Sequence, residues 1–292
     1  MHKAGFVNII GNPNVGKSTL MNALVGEKLS IITSKSQTTR HRIMGICNGE
    51  DFQIVYSDTP GIVNPHYRLH KDMMSFVSSA LTDADLFLLV TDIGESLKSN
   101  EVLEKISTSG VPIILLINKI DLSTQDIIDE KINYWRTALP KAFVLPCSAK
   151  DGIGLDVLLT KIKESLPENP PYFPKDELTD KPMRFFVSEI IREKILTLYN
   201  KEIPYSCQVE IAEYKETDTI DRIIAYIYVE RESQKGIVIG KNGSMLKKVG
   251  TLARKDIEDF TGKHVFLETH VKVLRDWRNN DSSLRRFGYE TK

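Results

Sequence analysis

Short apolar runs alternate with segments of helical length through the first 165 residues. FVNII (6–10), FQIVYS (52–57), DLFLLV (85–90), PIILLIN (112–118) and AFVLPCS (142–148) have the continuous apolar character of strands buried on both faces. Between them, 17–25, 66–81, 98–108, 125–138 and 155–165 read as helices. That alternation predicts a mostly parallel sheet with helices on both sides. The run IMGIC (43–47) stops at Asn48-Gly49, a turn that would fold it back on 52–57 as one antiparallel edge strand. The pattern changes after residue 183. An amphipathic helix over 184–200 precedes alternating strands over 206–214 and 222–230, a glycine loop, a helix over 244–260 and a strand over 264–273. This order predicts a second, α+β unit. Between the halves lies PENPPYFPKDELTDKP, which holds five of the twelve prolines. Proline removes backbone donors and biases its predecessor away from helix, so 167–182 is expected to be an extended linker between domains over 1–166 and 183–292.

Composition narrows the class. A chain of 292 residues suits two domains, and 41% hydrophobic with 27% charged residues excludes a wholly disordered protein. Cys47, Cys147 and Cys207 make no disulfide framework and no zinc spacing, and the six histidines make no metal spacing either. No run approaches the roughly 18 apolar residues of a membrane span. A cytoplasmic protein is therefore expected. The zero net charge hides a division: residues 181–292 carry 21 basic against 17 acidic side chains, and 1–180 carry 18 against 22. From Ser233 to Lys255 there are six basic residues and no acidic one.

The chemistry concentrates at the expected strand ends. Residues 11–18 read GNPNVGKS, a GxxxxGK[ST] loop between a strand and a helix. Gly11, Asn12, Pro13, Asn14, Val15, Gly16, Lys17, Ser18 and Thr19 would curl around phosphates at the positive end of that helix. Lys17 would reach the β- and γ-phosphates, and Ser18 would ligate Mg²⁺. DTPG follows the strand 52–57, and with Ile62 it makes a second phosphate-facing element of Asp58, Thr59, Pro60 and Gly61. Asp58 suits a Mg²⁺ contact, and Gly61 can bring its N–H to the γ-phosphate. Asn118-Lys119-Ile120-Asp121 addresses the base. Asp121 can accept two hydrogen bonds from guanine, where adenine offers neither donor, and such a site can reject the wrong base by roughly 10⁴–10⁵. Lys119 can lie along the ring, Asn118 can tie the base loop to the phosphate loop, and Ser148 with Ala149 would bring a backbone N–H to the guanine carbonyl. In the second half, Gly240-Lys241-Asn242-Gly243 matches the GxxG loop that clamps a single-stranded backbone. Lys247 and Lys248 continue that basic face, Ser244 joins the RNA-binding candidates, and Ile237, Val238 and Ile239 are expected to floor a groove for bases.

Residues 1–165 resemble a translation-factor-class GTPase domain. The succession GNPNVGKSTLMNALVGEKLS, SQTTRHRIMGI, DTPG, NKID and SA resembles the Era family specifically. RFFVSEIIREKILTL, GIVIGKNGSMLKKVGTLARKDIE and VKVLRDWRNNDSSLRRFGY extend the resemblance over nearly the whole chain. It implies an α/β P-loop GTPase domain with a mostly parallel sheet, followed by an α+β type II KH domain. It also implies hydrolysis of GTP to GDP, binding near the 3′ end of small-subunit (16S) rRNA, and assistance to 30S subunit maturation. A monomer is expected, and some members associate peripherally with the inner membrane. Switch I is implied at Gln37, Thr38, Thr39, Arg40 and His41, with Thr39 as its Mg²⁺-sensing threonine. Thr38 is an adjacent candidate that the sequence does not separate from it.

Two positions set this chain apart from Ras-like enzymes. Ile62 stands where those enzymes place a water-positioning glutamine, so slow hydrolysis is expected. Asn14 occupies the position that potassium-activated relatives use to ligate K⁺, a role weighed equally against simple shaping of the turn. Two other readings compete. A tRNA-modifying GTPase relative would want extra folate-binding or helical domains and a reactive cysteine near a terminus. A passive RNA-binding module with a vestigial nucleotide fold is disfavoured by intact Lys17, Ser18, Asp58 and Asp121.

Overall fold

The computed structural model describes residues 2–95 and 101–289. The chain divides into two units, one reaching Asp180 without residues 66–69, the other taking 66–69 with 181 onward. In the first, strands β1 (Lys3–Ile10), β2 (Ile43–Asn48), β3 (Phe52–Asp58), β4 (Leu86–Asp92), β5 (Ile113–Asn118) and β6 (Phe143–Pro146) form one sheet in the order β2-β3-β1-β4-β5-β6. Every pairing is parallel except β2 with β3, the antiparallel hairpin about Asn48-Gly49. The near-continuous burial of β4 and β5 follows from helices on both faces, which leave no face for polar alternation. Helices α1 (Lys17–Val25), α2 (Arg68–Thr82), α3 (Glu101–Thr108), α4 (Gln125–Ala138) and α5 (Leu155–Ser165) connect the strands. Of the helix expected over 98–108, residues 98–100 lie outside the described residues.

The sheet brings the strand ends to one edge. The register pairs Ile9 with Asp58 and Asp92 with Asn118, so the phosphate loop, DTPG and NKID all leave the same side. Residues 167–180 lie along this unit. Ala4 N donates to Pro167 O at 3.2 Å and Ile46 N to Leu178 O at 2.8 Å, while Gln53 Oε1 accepts from the backbone of Tyr172 and Phe173. Pairing of Gly45 with Thr179 covers part of the otherwise open β2 edge.

The second unit packs α6 (Met183–Leu198), α8 (Glu232–Ile239) and α9 (Ser244–Thr261) on a three-stranded sheet of β7 (Gln208–Lys215), β8 (Ile220–Val229) and β9 (His264–Val273). A one-turn helix, α7 (Ile203–Ser206), leads into β7. β7 and β8 are antiparallel, whereas β8 and β9 are parallel and are joined by the crossover through α8, the glycine loop and α9. Ile191, Ile195, Ala225, Ile227, Val249, Ala253 and Ile257 form its core. Past β9 the chain folds back through α10 (Asp281–Arg286), burying Trp277, Leu284 and Tyr289. Trp277 Nε1 donates to Ser206 O, and Tyr289 OH to Gln208 Oε1. Helix α8 falls where only a glycine loop was expected between the strand over 222–230 and the helix over 244–260. Gly236 and three β-branched residues give it low helical propensity, but Gln234 Oε1 accepts from the N–H groups of Glu230 and Arg231 and starts the helix.

Candidate functional site

A cavity of about 480 Å³ opens at the strand ends of the first unit, lined by the phosphate loop (Pro13, Asn14, Gly16, Lys17, Ser18, Thr19), by 31–35 and 37–39, and by Gly61 and Lys119. Asn14 and Gly16 have left-handed φ of 65° and 100°, and such alternation curls backbone amides into an anion-binding concavity. No side chain fits at Gly16, where a Cβ would lie 2.2 Å from Asn118 Nδ2. Lys17 Nζ is buried and donates to Gly11 O at 3.0 Å and Asn12 O at 2.8 Å. Burial lowers its pKa to about 8, against the pull of the Asp58 and Glu95 carboxylates. A cation withdrawn from water and paired mainly with carbonyls is well suited to an arriving phosphate.

Beside Lys17, three oxygens from three segments converge. Ser18 Oγ lies 2.7 Å from Asp58 Oδ2 and 2.8 Å from Thr39 Oγ1, and Thr39 Oγ1 lies 3.3 Å from the same carboxylate oxygen. The second oxygen, Asp58 Oδ1, is buried without a hydrogen bond among the described residues. Burial raises the Asp58 pKa, opposed by Lys17 and by hydroxyl donors that include Ser18. Clustered hard oxygens with one left unsatisfied fit Mg²⁺. Thr38 is differently engaged: its hydroxyl donates to Lys35 O at 2.6 Å and meets Thr33 Oγ1. Gln37 lines the cavity with φ of 57°. Arg40 and His41 are buried, His41 with its ring 5.8 Å from Phe76 of α2.

On the DTPG side, Thr59 Oγ1 turns inward to Ile9 O at 2.8 Å, and Pro60 is buried. Gly61 approaches Pro13 so closely that a Cβ would sit 2.8 Å from its Cα. Ile62 N donates to Gly11 O at 3.3 Å, while its side chain packs on the apolar cluster containing Ile10 and Leu115. An apolar side chain committed to packing cannot orient a water.

In the base loop, Asn118 Nδ2 donates to Val15 O at 2.8 Å. Lys119, with φ of 64°, reaches Asn14 O at 2.5 Å and Asp92 Oδ2 at 2.9 Å. Asp121 Oδ1 accepts from Ser148 Oγ at 2.7 Å. The Ala149 N–H donates to Asn118 Oδ1 at 2.9 Å, so here it holds the base loop together. Two carboxylates escape sequence reasoning. Asp92 anchors Lys119, and Glu95 accepts from Asn12 Nδ2 at 2.7 Å and Thr91 Oγ1 at 2.9 Å. A lone acid after a strand carries no motif; only the position of Asp92 beside Asn118 in the β4–β5 register could have flagged it.

In the second unit, Gly240, Asn242 and Gly243 have φ of 72°, 53° and 75°, and the loop opens directly into the 18-residue α9. Lys241, Asn242, Ser244, Lys247 and Lys248 are exposed around that helix N-terminus, which favours anions. A groove of about 380 Å³ runs beside it, lined by Gly243, Leu246, Lys247, Gly250, Thr251, Arg254, Leu267 and Thr269. The expected floor of Ile237, Val238 and Ile239 is corrected by this geometry. Val238 is fully buried in the core, Ile239 packs against that core, and Ile237 is 51% exposed outside the groove. The helical period of α8 turns the three residues in different directions. Leu246 and Leu267 supply the apolar surface instead.

The 50S ribosome-binding GTPase family matches residues 6–119, and the KH domain family matches 202–278. The chain is 46% identical over 293 residues to GTPase Era of Syntrophus aciditrophicus, covering 99% of this chain and 96% of that protein. It is 45% identical to chloroplastic GTPase ERA1 of Zea mays, covering 99% of this chain and 71% of that one. A crystal structure of Era in complex with MgGDPNP and nucleotides 1506–1542 of 16S ribosomal RNA is similar with a TM-score of 0.95, at 39% identity over all of both chains. An Aquifex aeolicus Era variant bound to GDP and AlF4⁻ has the same TM-score and identity, covering 99% of this chain and all of that one.

Proposed function

Because this chain belongs to the Era family of GTPases, we propose that it is a GTP-hydrolysing assembly factor that binds small-subunit rRNA near its 3′ end and assists 30S maturation. The observation that carries the enzymatic half is the convergence of Ser18, Thr39 and Asp58 beside Lys17. In this reading Ser18, Asp58 and Thr39 hold Mg²⁺, which neutralises charge on the β- and γ-phosphate oxygens when bound. Lys17 and the amides of 11–19 orient the triphosphate, and Asp121 selects guanine while Asn118 and Lys119 lock the base loop to the phosphate loop. Water attacks the γ-phosphorus and the bond to the β-phosphate oxygen breaks, leaving GDP and phosphate. With Ile62 packed on the apolar cluster, the residue after DTPG does not position that water, and intrinsic turnover is slow. The exposed Asn14 amide is the proposed K⁺ ligand; a rate unchanged when Na⁺ replaces K⁺ would remove that role.

The RNA half assigns the Gly240–Gly243 loop and the α9 N-terminus to the phosphate backbone. The groove of Leu246, Gly250, Leu267 and Thr269 takes the bases. In this reading residues 1–166 are the nucleotide domain, 167–182 the extended linker and 183–292 the RNA-binding half. The protein works in the cytoplasm as a monomer, with contact at the inner membrane peripheral; no helix among the described residues is long and apolar enough to cross a membrane. The test is a double variant, Lys241→Asp with Asn242→Asp, which puts two carboxylates where the RNA backbone passes. Binding of an RNA carrying the 3′ end of 16S rRNA should fall strongly, and wild-type affinity should fall as salt rises. An unaltered melting transition of the second unit checks its fold, and unaltered GDP affinity checks that the first unit is untouched. Undiminished RNA binding would move the RNA site elsewhere, first to the Arg275–Arg286 tail.

A further inference from the structure

Arg42 lies three residues beyond Thr39, where the buried 38–42 stretch enters β2. Its side chain is 9% exposed, and its guanidinium grips three elements at once. Nη1 and Nη2 donate to the two carboxylate oxygens of Asp83, just past the end of α2, at 2.7 and 2.9 Å. Nε donates at 2.6 Å to Ser57 Oγ, on the residue before Asp58. Nη2 also reaches Asn8 Oδ1 on β1 at 3.3 Å, and Nη1 reaches Ser79 Oγ of α2 at 3.4 Å. Asn8 closes the ring by donating to Asp83 Oδ1 at 2.8 Å and to Ala80 O. Neither Arg42 nor Asp83 lines the nucleotide cavity.

We propose that the Arg42–Asp83 clamp is a positioning device for the GTPase reaction, holding Thr39 and Asp58 in register at the metal site. The inference rests on the reading of Thr39 as a Mg²⁺ ligand. Three residues of chain span at most about 11 Å. With the guanidinium pinned to β1, β3 and α2 and residues 38–42 all buried, the Thr39 hydroxyl is tied within that reach to the clamp. Bidentate, charge-assisted pairing fixes direction as well as distance, which a single point charge cannot do. The ring of His41 against Phe76 gives the same segment a second hold on α2. Asp83 is 40% exposed while Arg42 is 9% exposed, so Asp83→Asn leaves the guanidinium facing neutral oxygens alone, and its melting temperature is read beside the metal requirement.

The experiment compares Asp83→Asn, Arg42→Lys, Arg42→Ala and Thr39→Ala in the full-length protein. It measures the Mg²⁺ concentration for half-maximal single-turnover hydrolysis, the affinities for GDP and for a non-hydrolysable GTP analogue, and the melting temperature. Asp83→Asn and Arg42→Lys should each raise the Mg²⁺ requirement by about tenfold or more, the range over which groups behind a ligand tune metal sites. Analogue affinity should fall with it, while GDP affinity stays close to the parent value. A folded Asp83→Asn protein with the parental Mg²⁺ requirement would overturn the proposal, as would equal losses for GDP and the analogue, the mark of general structural support. Should Arg42→Ala fail to fold, Asp83→Asn and Arg42→Lys still decide. Thr39→Ala separates the two levels. If it raises the requirement and the clamp variants do not, the clamp alone is wrong; if it too is silent, the Thr39 reading fails and the clamp falls with it.

Discussion

At the scale of single residues, Asp121 is held in one orientation by Ser148 Oγ at 2.7 Å before any base arrives. Asp121→Asn replaces an acceptor by a donor. Preference for GTP over XTP should then fall by roughly 10⁴-fold, because xanthine carries a carbonyl where guanine carries its amino group. Competition against a fluorescent guanine nucleotide measures this, and an unchanged preference would remove Asp121 from the base site. Lys17→Ala removes the buried ammonium that rests on Gly11 O and Asn12 O. Its loss should weaken a GTP analogue by about 10–100-fold, the worth of one to two charge-assisted hydrogen bonds, and weaken GDP less. These residue types were legible because their spacing within one loop is local. Which of Thr38 and Thr39 turns its hydroxyl toward Ser18 and Asp58 was not, since those partners lie about twenty residues away on either side.

At the scale of elements, the tail after β9 is fastened by a polar knot. Arg286 donates to Glu210 at 2.8 Å and to Tyr228 OH, and Tyr228 donates to Glu210. Burial pushes the Glu210 carboxyl up, but the hydrogen bonds from Arg286 and Tyr228 outweigh it and hold it below its ordinary value. A depressed carboxylate stabilises fully above the unfolded value of about 4.3, and that contribution vanishes as pH falls through the folded value. Trp277, edge-on to Phe287 at 5.6 Å, reports the outcome. In a Trp135→Phe background its emission should shift to the red on acidification below about pH 4.3. Glu210→Gln should abolish that acid-dependent step, having lost the ion pair at every pH; an identical acid transition in both would detach the knot from tail docking. The glycine loop shows a second element-level constraint. At Gly240 a Cβ would meet Met245 at 2.7 Å with φ at 72°, whereas at Gly243 only the left-handed φ resists substitution. Gly240→Ala should therefore destabilise the second unit more than Gly243→Ala, as melting of the two variants would show.

At the scale of the whole molecule, two hydrophobic cores predict two thermal transitions. Mg·GDP at a hundredfold excess over its Kd should stabilise one of them by about 2.7 kcal/mol and leave the other in place. A single transition that shifts as a whole would mean that the cores unfold together. Much of this architecture was readable along the chain. Strand–helix alternation and local loop signatures depend on neighbours a few residues apart, so GNPNVGKS, DTPG, NKID and GKNG declared their chemistry and the sheet its parallel character. Whatever depends on residues far apart in sequence was decided only by folding. Gly45 and Gln53 draw residues 172–179 of the expected extended linker along the sheet, a pairing the prolines alone do not show. Glu95 and Asp92 reach the loops of Asn12 and Lys119, and Arg42 finds Asp83 forty-one residues later. Val238 leaves the expected groove for the core because a helix turns every residue by about 100° and only one of three neighbours can face a given side. Sequence by itself determined which chemistry this protein carries. Which hydroxyl meets Ser18 and Asp58, which apolar residues line the groove and what holds residues 38–42 were decided by packing, because those partners become neighbours only once the sheet and helices close around them.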